Sequence, residues 1–146
     1  MQGADRETTD IESRAISLVS QMHPSFEAIV LFGSVAQGSS REESDVDIVV
    51  FLPEVICPHH EHSQDDGRIF DIYVHDVASF LRELARQRVA YSCYYSNILK
   101  FGCFIVDKNA IEHTLKTSTA YLNRSLRPRP NLVPSRLAIA SLMRKV

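Results

Sequence analysis

The chain has 146 residues, 45% of them hydrophobic and 23% charged, with 16 Lys and Arg against 18 Asp and Glu for a formal charge of −2. That is the composition and length of one globular domain able to bury its own core, and it excludes a membrane-spanning helix, since no apolar run approaches 18 residues. The small net charge hides an asymmetry: residues 1–80 carry 4 basic and 15 acidic groups, a net of −11, whereas residues 81–146 carry 12 basic and 3 acidic, a net of +9, a division that suggests a cation site in the first half and an anionic or acidic partner for the second.

Residues 8–22 have the spacing of a helix, with Ile11, Ala15, Leu18, Val19 and Met22 three or four apart, Thr8, Thr9 or Asp10 as caps and His23-Pro24 as the stop. Residues 27–32 form a short apolar run rich in β-branched residues, a buried strand broken by Gly33-Ser34. A second strand spans 45–52 and closes at Pro53; period-two alternation puts Asp45 and Asp47 on one of its faces and Val46 and Ile48 on the other. Residues 54–67 read as a polar loop and 68–74 as a third strand. Residues 76–89 read as a helix with Val77, Phe80, Leu81 and Leu84 inward, 92–100 as a shorter helix ended by Gly102, and 103–106 as a fourth strand. A helix follows at 108–124 around Ile111, Leu115 and Leu122. Arg127-Pro128-Arg129-Pro130-Asn131 is a stiff hinge, and Leu137, Ile139, Ala140, Leu142 and Met143 suggest a last helix over 134–146. This order predicts an α+β fold, helices packed on a small mixed sheet, with a domain over 1–126 and a hinge plus C-terminal helix over 127–146. The polar, acidic opening, Met1 to Glu7, is unlike a secretory signal or transit peptide. Cys57, Cys93 and Cys103 are odd in number and form no CxxC pair, so neither a disulfide framework nor a structural zinc site is expected, and a cytoplasmic location fits.

Chemistry concentrates between residues 31 and 47. A strand ends in Gly33-Ser34, a second glycine follows at Gly38, and Ser44-Asp45-Val46-Asp47 opens the next strand. A glycine directly after a strand lets the backbone turn sharply and approach a ligand. A serine hydroxyl with exposed amides behind it at a helix start can hold phosphate oxygens. Two aspartates at i and i+2 on one strand face are costly neighbours unless a cation lies between them, and such hard oxygen ligands suit Mg²⁺, which takes phosphate oxygens for its remaining positions. A third carboxylate is expected from a neighbouring strand, and Asp71 fits as an isolated acid between Phe70 and Ile72. The set is equipment for metal-assisted phosphoryl or nucleotidyl transfer.

Gly33-Ser34, ten intervening residues and Asp45-Val46-Asp47 resemble the signature of the DNA-polymerase-β-like nucleotidyltransferase superfamily and of its small members, the minimal nucleotidyltransferases. The resemblance covers about residues 11–107 and includes Ile98 to Asp107, similar to the helix-Gly-strand that follows the third carboxylate in that family. It implies an enzyme that uses a nucleoside triphosphate, often ATP, and releases pyrophosphate. Gly33, Ser34, Gly38 and Ser44 would lie against the nucleotide, and Asp45 and Asp47 would bind Mg²⁺. Asp71 would share a second ion and act as general base toward an acceptor hydroxyl. Many relatives carry a basic residue just before the second glycine, and some another just after the Gly-Ser. Val35 and Gln37 hold those places here, with Arg41 the nearest base, so triphosphate charge would be met mainly by metal.

The resemblance implies three functional readings. One is transfer of AMP to a tyrosine of a helical HEPN-type toxin, as the antitoxin half of a pair. Another is a small-molecule transferase like the aminoglycoside or lincosamide resistance enzymes. The third is a nucleotide- or partner-binding module with little catalysis, which Gln37 favours. Other features have plainer readings. Glu42 and Glu43 are solvated loop charges. Cys57-Pro58-His59-His60-Glu61-His62 has ligand-type side chains but no second cluster, so it reads as part of a mobile loop, with acceptor contact or adventitious metal binding through His59, His60 and His62 as the alternative. Of Tyr91, Tyr94 and Tyr95, one edge is expected to pack and the rest to lie at the surface. The basic tail (Arg124, Arg127, Arg129, Arg136, Arg144, Lys145) has no interleaved aromatics, so it reads as a contact for a protein partner or a second copy rather than for nucleic acid.

Overall fold

The structure, a computed structural model, describes residues 2–125. Its elements are α1 (Gln2–Met22), β1 (Ala28–Phe32), α2 (Gly33–Ala36), β2 (Val46–Phe51), β3 (His59–Asp65), β4 (Arg68–His75), α3 (Val77–Val89), α4 (Tyr94–Phe101), β5 (Cys103–Asp107) and α5 (Ile111–Ser125). The strands form one five-stranded sheet in the order β3-β4-β2-β1-β5. β1 pairs antiparallel with both β2 and β5, β2 and β4 are parallel, and β3 and β4 form an antiparallel hairpin. The sheet is therefore mixed, as the α+β reading expects.

Helices cover both faces, which is why β1 and most of β2 are continuous apolar runs rather than alternating ones. On one face Leu31, Ile48 and Ile72 pack against Ile11, Ala15 and Val19 of α1. On the other, Val30, Val49 and Phe51 pack with Phe80 and Leu84 of α3, Tyr95 and Ile98 of α4 and Leu115 of α5. Each fully buried Leu, Ile or Phe among these contributes about 1.5–3 kcal/mol. Two helix starts follow from capping carboxylates. Asp76 accepts from the Ser79 amide at 2.7 Å and opens α3 with a reciprocal capping box. Asp107 accepts from the Ile111 and Glu112 amides, which moves the start of α5 from the expected 108 to 111.

Two readings of the sequence are corrected. The first helix begins at Gln2 rather than at residue 8, because Gln2, Ala4, Arg6 and Glu7 are good helix formers and no proline interrupts them. The expected loop over 54–67 contains the edge strand β3. Its turn residues, Asp66 and Gly67, both have positive φ (46° and 77°), the geometry of a two-residue type I′ hairpin that matches the twist of the flanking strands. The hinge at 127–131 and the helix expected over 134–146 lie outside the described residues.

Candidate active site

The candidate residues gather at one end of the second face, where β1 finishes and β2 and β4 begin. Strand register places a row of side chains across this end: Phe32 opposite Asp47, Asp47 opposite Asp71, and Asp71 opposite His62. The next row inward is Val30, Val49, Tyr73 and His60, two residues along each strand and on the same face. Three short-range sequence features, a Gly-Ser, an Asp-x-Asp and a lone strand aspartate, thus converge through pairing.

Gly33 follows Phe32 directly and has φ +73°, a conformation that side-chain-bearing residues rarely adopt. It is also the point of closest approach, since a Cβ at this position would fall on Asp47 Oδ2. Ser34 lies half-buried in the first turn of α2, whose capping residue Phe32 supplies no side-chain acceptor to the exposed amides. The Ser34 carbonyl accepts from the Ser39 amide at 2.9 Å, and the Gly38 amide donates to Val35, so this loop is tightly wound. Gly38 itself is exposed. Ser44 closes the next turn, its Oγ accepting from the Arg41 amide at 2.9 Å. Asp45 is exposed and immediately precedes β2 rather than lying within it.

Asp47 is half-buried, and its carboxyl is pushed up to about 6, first by burial and then by the negative charges of Asp71 and Asp45. The three carboxylates expected from the sequence therefore sense one another. Asp71 Oδ1 is buried and has no hydrogen-bond partner among the described residues. A crowd of hard oxygen donors, one with its carboxyl raised by burial and by its neighbours' charges and one with a buried oxygen that makes no hydrogen bond, fits a divalent cation such as Mg²⁺.

Three contributors were not read from the sequence. Arg68, nearly buried, donates from Nε to the Ser44 carbonyl at 3.1 Å and from Nη2 to the Arg41 carbonyl at 3.2 Å, with Glu7 at 3.4 Å as its ion pair. It anchors the loop that delivers Asp45, and because its partners are carbonyls far off in sequence, no motif announces it. The second contributor is an aromatic wall. Tyr73 and Tyr94 lie beside Phe32, with ring centroids 5.7 and 6.1 Å away, and the Tyr94 hydroxyl donates to Tyr73 Oη at 3.3 Å. Burial, the bond to Tyr73 and the charge of Asp47 all raise the Tyr94 phenol above its ordinary range. As expected of the tyrosine group, one member packs (Tyr95) while Tyr91 and Tyr94 are exposed. The third is the placement of His60 and His62, ligand-type side chains that the sequence displays in an expected loop and that β3 brings to the row; the Asp66-Gly67 dipeptide is the signal of that hairpin.

Residues 15–99 match the family model described as polymerase beta, nucleotidyltransferase. Among solved structures, the crystal structure of a toxin-antitoxin with AMP-PNP is similar in fold, with a TM-score of 0.51 and 18% sequence identity over 80% of this chain and 89% of that one. No curated protein matches the chain. No helix among the described residues is long and apolar enough to cross a membrane.

Proposed function

The chain belongs to the polymerase-β nucleotidyltransferase family, and from that premise we propose that it is a Mg²⁺-dependent enzyme moving AMP from ATP onto a hydroxyl group. The observation that carries this reading is the row Asp47–Asp71 beside Gly33, with the Asp47 carboxyl raised by burial and by the charges of its neighbours. Gly33 and Ser34 would hold phosphate oxygens through backbone amides and the serine hydroxyl. Gly38 and Ser44 shape the loop around them. Asp45 and Asp47 would hold one ion and share a second with Asp71; when bound, such ions would neutralise triphosphate charge and acidify an acceptor hydroxyl. Asp71 takes the proton of the acceptor as its oxygen bonds the α-phosphorus and pyrophosphate leaves.

For the acceptor we favour a tyrosine on a helical HEPN-type toxin partner, which makes this chain the antitoxin and a minimal nucleotidyltransferase. The similar fold of the toxin-antitoxin solved with AMP-PNP supports this choice, and the net positive charge of the second half of the sequence suits an acidic partner. Intact mass measurement of the chain with its co-expressed partner, with and without ATP and Mg²⁺, tests it. The expected result is a gain of AMP units on the partner. In Asp45→Asn/Asp47→Asn the rate should fall by about 10²–10³ or more while the circular dichroism stays native. Transfer that survives in the double variant would refute the mechanism. Mg²⁺-dependent ATP binding with no mass gain would put a nucleotide-binding module in its place.

A further inference from the structure

The sheet edge carries two histidines that the transfer reading does not use, beside the Asp71 that it does. His60 and His62 are two residues apart on β3, so both project to the face that holds Asp71. His62 Nδ1 lies 2.5 Å and His60 Nε2 3.8 Å from the same oxygen, Asp71 Oδ1. One ligand atom from each of the three residues lies within 4.8 Å of the other two. Despite the nearness of His62, Asp71 Oδ1 is buried without a hydrogen bond of acceptable geometry. In a tetrahedral shell with bonds of about 2.0–2.1 Å the ligand atoms are about 3.3 Å apart, and the two observed separations bracket that value.

The cluster is also held in place. The His60 ring stacks on Tyr73 with centroids 4.2 Å apart and planes 12° from parallel. The opposite face of β3 is tied to α1, where His23 Nε2 meets Glu61 Oε2 at 3.0 Å and Arg14 Nε donates to Asp65 Oδ2 at 2.8 Å. Two imidazoles and one carboxylate select ions such as Zn²⁺, Ni²⁺ or Co²⁺ over Mg²⁺, which prefers oxygen ligands throughout.

We propose that His60, His62 and Asp71 form a three-ligand site for a borderline divalent cation, Zn²⁺ above all, with a fourth position open to solvent. An ion there occupies the carboxylate assigned above to proton removal, so any effect on transfer rests on that reading, whereas the ion site itself does not.

The test uses the full chain stripped with EDTA and titrated with Co²⁺ as the spectroscopic probe. One equivalent should produce the visible absorption of a low-symmetry four-coordinate ion, and His60→Ala and His62→Gln should each weaken binding at least about tenfold. The Asp45→Asn/Asp47→Asn variant should keep the absorption although transfer is lost, so failure of the ion site and failure of the transfer reading are told apart. In the wild-type chain Zn²⁺ should shift the imidazole nitrogen resonances of His60 and His62 and leave those of His23 and His75 in place. Absence of the Co²⁺ absorption, its retention in both histidine variants, or Zn²⁺ shifts confined to other histidines would each overturn the proposal.

Discussion

Two glycines with nearly the same backbone angle separate conformational strain from crowding. Gly33 and Gly67 have φ of +73° and +77°, yet a Cβ at Gly67 meets nothing within 4 Å, whereas at Gly33 it would fall on Asp47 Oδ2. Gly67→Ala is expected to cost about 1 kcal/mol, the penalty for a side chain in the left-handed region. Gly33→Ala should cost about 2–3 kcal/mol, because the half-buried carboxylate must also be displaced. Urea unfolding midpoints of the two variants check this, and equal losses would show that Asp47 yields freely. The residues of the row differ in how openly the sequence displayed them. Asp71 stood out because an acid between Phe70 and Ile72 has no reason to be there as packing. His60 and His62 showed their ligand chemistry but not their place, because ligand-type side chains in a polar stretch look alike whether they lie on a loop or on a strand.

At the level of elements, legibility follows burial. β1 and β2 are apolar runs because they are interior strands covered on both faces, β4 is apolar along its α1-facing side, and the bounds of each are visible from the sequence within one or two residues. The edge strand β3, His-His-Glu-His-Ser-Gln-Asp, has a partner on one side only, and it carries no hydrophobic period. Its position is fixed instead by the Asp66-Gly67 turn and by side chains reaching from α1, neither of which a search for apolar alternation detects. The loop between α2 and β2 is a similar case, tied to the sheet by Arg68 on β4 in addition to its own turn hydrogen bonds. Arg68→Ala leaves two carbonyls and Glu7 without their cation, and should cost about 1–3 kcal/mol. If the anchoring role holds, amide hydrogen exchange will quicken over residues 41–46 more than over β1, and transfer will fall further than the loss of global stability explains. Uniform quickening across the sheet would mean that Arg68 is merely structural.

Protons released and taken up on unfolding connect this site to the stability of the whole molecule. His75, at the end of β4, is buried between Ser79 Oγ at 2.9 Å and Tyr95 Oη at 2.8 Å, and burial lowers its imidazole to about 4. Its unfolded value is near 6.5, so between those limits the unfolded chain holds a proton that the folded chain does not, and stability must fall as pH falls. Asp47 acts in the opposite sense. Its folded value of about 6 exceeds the unfolded value near 3.8, so the folded chain gains a proton first and stability rises on acidification through that window. From pH 7 to pH 5 the linkage gives a loss of about 2 kcal/mol from His75 and a gain of about 1 kcal/mol from Asp47. In EDTA, so that no cation holds the carboxylates, the wild-type chain should therefore lose little stability over this range. Asp47→Asn removes the compensating group and should steepen the loss to about 2 kcal/mol. In His75→Gln the remaining groups are Asp47 and His59, whose imidazole is raised by its bonds to the Cys57 carbonyl and Glu61 and so also favours the fold on acidification, and the pH dependence should reverse sign relative to Asp47→Asn. Carboxylates such as Asp76, whose values are lowered by hydrogen bonds from Ser79 and Val55, titrate below this range and leave the comparison undisturbed. Denaturant midpoints of the three chains at pH 7 and pH 5 decide the matter. Parallel behaviour of the two variants would mean that neither the buried imidazole nor the carboxylate row governs the pH dependence of folding.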